Sequence, residues 1–183
     1  MAQLKSGSTL NGVAFNDPSK VLTSDNYNYG KLVGEIVVTS ATTSVSFSGL
    51  DGNAHGGYVL VSELVNATAS ATYLKSYING DTTDANYHSQ HIYASGTSVT
   101  ADSASAANMI MADSSKKTHG ITQFNIVGDR AFMQSQMKRE AGNLDIYMAN
   151  HNVSITNITS LTLTASVASA IGINSRFRLY RRL

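Results

Sequence analysis

Five histidines, His55, His88, His91, His119 and His151, are the residues of this 183-residue chain best suited to bind a metal or move a proton. Only His88 and His91 are close in sequence, and a spacing of three on a strand points them to opposite faces, so they cannot share an ion. The nearest acids, Asp81 and Asp84, fall in the preceding turn, which leaves no third convergent ligand, and the histidines read as structural or surface residues. The run Asn79-Gly80-Asp81-Thr82-Thr83-Asp84-Ala85-Asn86 offers the hard oxygens that calcium takes. It lacks the closing Glu of an EF-hand loop and reads as a turn held by side-chain-to-backbone bonds. Serines are abundant, yet there is neither a Gly-x-Ser-x-Gly elbow nor a phosphate-binding glycine loop.

Sugar cleavage would need a carboxylate pair beside flat aromatic platforms. The glutamates are Glu35, Glu63 and Glu140, tryptophan is absent, and the strand-borne tyrosines read as core or interface. Zero cysteines exclude disulfides, thiolate metal sites and a cysteine nucleophile. The sequence therefore reads as a binding or structural protein rather than an enzyme, with no cofactor. Three sequons, at Asn66, Asn152 and Asn157, are what a chain this rich in Asn, Ser and Thr yields by chance, and the opening MAQLKSGSTLNGVAF lacks the apolar run of a secretory signal. Nothing in the sequence is long and apolar enough to span a membrane as a helix.

The elements that would position these residues are strands. Short alternating segments separated by Gly, Asn, Asp and Ser predict strands over 32–38, 44–48, 58–65, 72–78, 88–94, 108–111, 120–127, 132–138, 144–148, 160–166 and 175–180. Eleven segments are too many for one open sheet, so two packed antiparallel sheets are expected over residues 27–183. Leu161, Leu163 and Ala165 should face a core, whereas Tyr58-Val59-Leu60-Val61 is apolar on both faces and should be central, its second side covered by a loop or a neighbouring subunit. Phe177 and Leu179 share one face of the last strand and Arg176, Arg178 and Tyr180 the other. Residues 95–105 read as a loop, with a helical turn over 103–107 as its end.

Only 14% of residues are charged, whereas Ser (24), Thr (17) and Asn (15) are plentiful, a neutral polar surface suited to packing against protein. Charge is uneven: residues 1–110 carry four basic and eight acidic side chains, and 111–183 carry nine basic and four acidic. Arg176, Arg178, Arg181 and Arg182 form the one basic cluster, and without aromatic stacking platforms between them they fit rim contacts to an acidic protein surface rather than nucleic acid. Residues 1–26 have few large apolar side chains and read as an extended N-terminal arm ordered by a partner, with isolated anchors at Leu4, Leu10, Val13, Phe15 and Leu22.

Several segments together resemble virion proteins of tailed bacteriophages: Ser48-Gly49-Leu50-Asp51-Gly52 before Gly57-Tyr58-Val59-Leu60-Val61; Tyr77-Ile78-Asn79-Gly80-Asp81 before Asn86-Tyr87; Ile158-Thr159-Ser160-Leu161-Thr162-Leu163; and Gly172-Ile173-Asn174-Ser175-Arg176-Phe177-Arg178-Leu179-Tyr180-Arg181. Where a glycine often precedes the serine of the last motif, this chain has Asn174, which tolerates the same left-handed backbone. The resemblance runs from about residue 45 to the end and implies an all-β, jelly-roll-like sandwich. It implies a virion structural protein made in the host cytoplasm, foremost a capsid decoration (cement) protein, with a tail-associated or fibre host-attachment component as the alternative. A homotrimer bound to the major capsid protein or other virion proteins is expected with it. Leu4, Leu10 and Phe15 of the arm and Arg176 and Arg178 of the last strand are the expected partner contacts.

Overall fold

The computed structural model describes residues 30–182 and, before them, the backbone of two short paired strands, β1 (Thr9–Leu10) and β2 (Val13–Ala14). The sandwich strands are β3 (Lys31–Val37), β4 (Ser44–Ser48), β5 (Tyr58–Val65), β6 (Thr72–Ile78), β7 (Tyr87–Ser95), β8 (Ser98–Ala104), β9 (Asn108–Ala112), β10 (Lys117–Val127), β11 (Arg130–Arg139), β12 (Leu144–His151), β13 (Ser160–Ala165) and β14 (Arg176–Arg181). One helical turn, α1 (Gly52–His55), precedes β5. The strands form an eight-stranded sheet, ordered β3-β14-β5-β10-β11-β12-β7-β8, and a four-stranded sheet, ordered β4-β13-β6-β9. Every pairing is antiparallel, and the fold is the two-sheet sandwich that alternation predicts, consistent with a jelly-roll-like type.

The core forms where both inner faces meet. Leu60, Leu64, Phe124, Met133, Tyr147, Phe177 and Leu179 come from the large sheet, and Phe47, Leu74, Ile78, Ile110, Leu161 and Leu163 from the small one. β13 buries Leu161, Leu163 and Ala165 and leaves Thr162 and Thr164 half-buried, because a period of two fixes which side of a strand faces inward. β5 is central, between β14 and β10, and Val59 on its outer side is 6% exposed between Tyr180 and Gln123. The predicted turns carry positive φ at Gly49, Asn79 and Gly80, and Asn174 takes the left-handed backbone expected of it, with φ 69°.

The segment read as a loop over 95–105 is a hairpin: Gly96, with φ 60°, turns the chain, and β8 pairs with β7 along its length, from Ser98 opposite Ser95 to Ala104 opposite Ser89. The helical turn expected over 103–107 is absent for the same reason, since Ser103 and Ala104 belong to β8. β8 is an edge strand whose residues are nearly all exposed, so backbone pairing holds it and no hydrophobic alternation marks it in the sequence.

Candidate interaction surface

The phage-like motifs supply turns at both ends of the sandwich, since Asp51 bonds Tyr58 at the start of β5 and Ser175 bonds Val65 at its end. Asp51 caps α1 by accepting from the Ala54 N–H at 3.2 Å, and its own N–H donates to the Tyr58 hydroxyl at 2.6 Å. Asn79 accepts from the Thr159 N–H at 2.7 Å through its side-chain oxygen and donates to the Asn157 carbonyl at 2.7 Å. The Tyr87 hydroxyl accepts from the Ile78 N–H at 3.0 Å and donates to the Asp81 carbonyl at 2.9 Å, and burial pushes it up to about 12. In the last motif, Ser175 accepts from the Val65 N–H at 2.9 Å. These four motif residues therefore hold loops in place.

The oxygen-rich turn is closed by protein donors. Asp81 accepts from the Thr83 N–H at 3.0 Å and Asn86 Nδ2 at 2.7 Å and meets His151 Nε2 at 2.8 Å, while Asp84 is held by Lys75 and by the Tyr77 hydroxyl at 2.9 Å. Burial works to raise the Asp81 carboxyl, but hydrogen bonds from His151, Asn86 and Thr83 outweigh it and hold the group at about 2. A depressed carboxyl stabilises the fold above its ordinary value of 3.8, and that contribution is lost as the pH falls through about 2. Thermal melts between pH 5 and pH 2 should therefore show Asp81→Asn with a flatter acid limb than the wild type (pH range about that of carboxylate titration). An unchanged limb would mean that this turn does not link folding to acid.

Of the other histidines, His88 and His119 are exposed and His91 is buried. His88 and His91 fall on opposite faces of β7, as their spacing requires. His91 Nε2 lies 2.7 Å from Asp145 Oδ1, and its ring stacks on Tyr147 with centroids 3.9 Å apart. Arg139 Nε donates to Asp145 Oδ2 at 2.7 Å, and Arg139 NH1 donates to Asp113 Oδ1 at 2.7 Å. Asp145 is fully buried and Arg139 is 3% exposed, so this network ties β11, β12 and β7 together from inside the sandwich. Its members lie up to 54 residues apart, and no spacing signal in the sequence links them. Among the described residues no three His, Asp or Glu side chains are gathered as a metal would need.

Arg176 and Arg178 lie on the outer face of the large sheet, beside acids. Arg178 Nε donates to Glu35 at 2.8 Å and its NH1 lies 3.5 Å from Glu63, while Arg176 NH1 lies 3.5 Å from Glu35. The cause is strand order: β14 runs between β3 and β5, with Arg178 opposite Glu35 and Arg176 opposite Glu63. This half of the face carries paired charge rather than a free cationic stripe. Leu4, Phe15 and Leu22 lie outside the described residues, while Leu10 and Val13 are described only as backbone of β1 and β2.

The other half of the outer face is largely apolar, with Arg130 and Lys138 of β11 and His88 of β7 as its ionisable groups. The ladder sets Leu144, Ala94 and Val99 in one row, Ile146, Ile92 and Ala101 in the next, and Met148, Gln90 and Ser103 in a third. Leu144 is 51% exposed, Ile146 38%, Met148 58%, Ile92 50% and Val99 71%, with Phe132 of β11 nearby at 44%. On β12 this inverts ordinary patterning: Asp145, Tyr147, Ala149 and His151 point inward while Leu144, Ile146 and Met148 point outward. Two shallow grooves mark the surface, one lined by Phe132, Gln134, Asn150 and His88, the other by Ile146, Ile92, Ala101 and Asp102. Met148 and Gln90 line both and form the ridge between them.

Fold and surface together define an all-β, two-sheet antiparallel sandwich with one face divided into a charge-paired half and a largely apolar half. No family model and no curated protein matches the chain. Among the described residues no helix is long and apolar enough to cross a membrane.

Proposed function

We propose that this chain is a structural protein of a tailed-bacteriophage virion, a capsid decoration protein that binds across neighbouring major capsid subunits and holds the shell together. The observation that carries an associative role is the β12 inversion, in which a strand buries Asp145 and presents Leu144, Ile146 and Met148 to its surroundings. Large exposed apolar patches on one face mark surfaces that meet other macromolecules. The phage assignment comes from the turn and strand motifs that resemble virion proteins, and those motifs serve here to fix loops on a rigid sandwich. The role needs no catalysis and no cofactor. A protein of this kind works by binding the assembled state, which lowers the chance that any one subunit leaves.

Adding the purified protein to capsids assembled without it should give saturable binding at a stoichiometry set by capsid symmetry, and the decorated capsids should survive a higher temperature. Absence of binding, with no change in capsid heat resistance, would refute the reading. Particles that lack the protein, keep their heat resistance and lose adsorption would move it to the tail as a host-attachment component.

A further inference from the structure

We infer that the crevice on the inner side of β7 and β8 binds a primary ammonium group, the head of a lysine side chain or of a small free amine. β9, the edge of the small sheet, packs against β10, β11 and β12, so β7 and β8 extend past it. In the angle so formed lies a cavity of about 30 Å³ whose lining includes Tyr73, Ser89, His91, Asp102, Asn108 and Tyr147. The ladder sets Tyr147, His91 and Asp102 side by side in one row of the inner face. Two polar atoms of these residues, Tyr147 Oη and Asn108 Oδ1, are buried and bond to no protein group. Tyr147 is 1% exposed, and burial first, then the charges of Tyr73 and Asp145, push its hydroxyl up, so it stays a neutral phenol. A buried polar atom without a partner is costly, and two in the wall of one cavity mark a binding site rather than slack packing.

Charge and hydrogen-bonding capacity select the ligand. No Lys or Arg lines the cavity, Asp102 at its exposed rim is its one carboxylate, and behind His91 the carboxylates of Asp145 and Asp113 share Arg139. Lys75, opposite Asn108 in the ladder, is held by Asp84. With His91 neutral, Asp102, Asp113 and Asp145 thus stand against Arg139 alone, and their field favours a cation over a water of the same size and excludes an anion. Size narrows the choice, since a water needs about 10–15 Å³ and this cavity admits little more than one such group. A divalent metal wants more carboxylates than Asp102 alone supplies. A primary ammonium carries three N–H donors in a water-sized head, one each for Asn108 Oδ1, Tyr147 Oη and the Asp102 carboxylate, and the aromatic wall at Tyr73 suits it. Its stem leaves past Asp102 and Ser103, both exposed. The site goes beyond the capsid reading and does not depend on it.

The test titrates the isotope-labelled full chain with methylammonium chloride and follows amide chemical shifts, with tetramethylammonium chloride making up a constant ionic strength. The amides of Ser89, Ala104 and Asn108 should shift saturably with a Kd on the order of 10 mM, near the ceiling for a ligand of two heavy atoms. Tetramethylammonium, equal in charge but without N–H donors, should not move them. Asp102→Asn, at an exposed position, and Tyr147→Phe, which keeps the ring, should each weaken binding about 10-fold, whereas Val99→Ala on the outer side of β8 should leave it unchanged. If Tyr147→Phe does not fold, Asp102→Asn and the two salts still decide. Nα-acetyl-lysine amide in the same titration separates the sources: binding as tight as that of methylammonium supports a partner's lysine, and binding of methylammonium alone supports a free amine. Shifts that do not saturate, equal shifts with tetramethylammonium, or a folded Asp102→Asn with wild-type affinity overturn the inference. A crystal structure grown in methylammonium with water only in the cavity overturns it too.

Discussion

Asp145→Ala is expected to cost the fold about 3–5 kcal/mol, the range for removing one partner of a buried ion pair. Asp145 is wholly buried and is the acceptor for both Arg139 Nε and His91 Nε2, each at 2.7 Å. Without it the Arg139 guanidinium, 3% exposed, keeps only Asp113 as a counter-charge, and His91 Nε2 loses its hydrogen-bond partner. The loss comes from a stranded cation rather than from the net worth of the pair, so the double variant Arg139→Met with Asp145→Leu should lose markedly less than the sum of its two single variants. Urea unfolding of the four proteins measures this. A single-variant cost under about 1 kcal/mol, or strict additivity, would show that the three strands do not depend on the network.

Asn66→Ala should follow at about 3 kcal/mol, because it leaves three part-buried backbone groups without their partner at once. Asn66 is 2% exposed, donates from Nδ2 to the Ser70 carbonyl at 2.8 Å and the Asp113 carbonyl at 2.9 Å, and accepts from the Thr68 N–H at 3.0 Å. One amide thus joins the end of β5 to the turn that follows it and to the segment after β9. Asn66→Asp keeps the shape and removes both donations, setting a carboxylate against two carbonyl oxygens, and should be at least as harmful. The same bonds explain why the sequon at Asn66 offers no free amide in the folded chain. Equilibrium unfolding that places both variants within about 0.5 kcal/mol of the wild type would contradict this role.

The strands were legible because nearly all have one side against the core: β13 buries Leu161 and Leu163 between half-buried threonines, and period two survives in the sequence. β8 was not legible, since an edge strand exposed on both sides needs only backbone partners and its Ser-Val-Thr-Ala-Asp-Ser-Ala reads as loop. The surface was hidden for a different reason. Alternation in Leu144-Asp145-Ile146-Tyr147-Met148 shows that two faces exist but not which is inside, and hydrophobicity alone points the wrong way. What turns the strand over is the distant pair Arg139 and His91, which claim Asp145 for the interior. Arg176 and Arg178 looked free in sequence because their partners, Glu35 and Glu63, arrive from strands more than a hundred residues earlier. The turn motifs were visible as motifs, and only the fold shows that they bond to one another.

The most direct test of the associative, capsid-borne role is electron cryo-microscopy of virions that carry this protein, with its copies located and counted. The account predicts copies over the head in a number that follows capsid symmetry, each with the β12 face carrying Leu144, Ile146 and Met148 covered by a neighbouring subunit of the shell. A few copies confined to the tail, or head copies whose β12 face lies open to solvent, would contradict it.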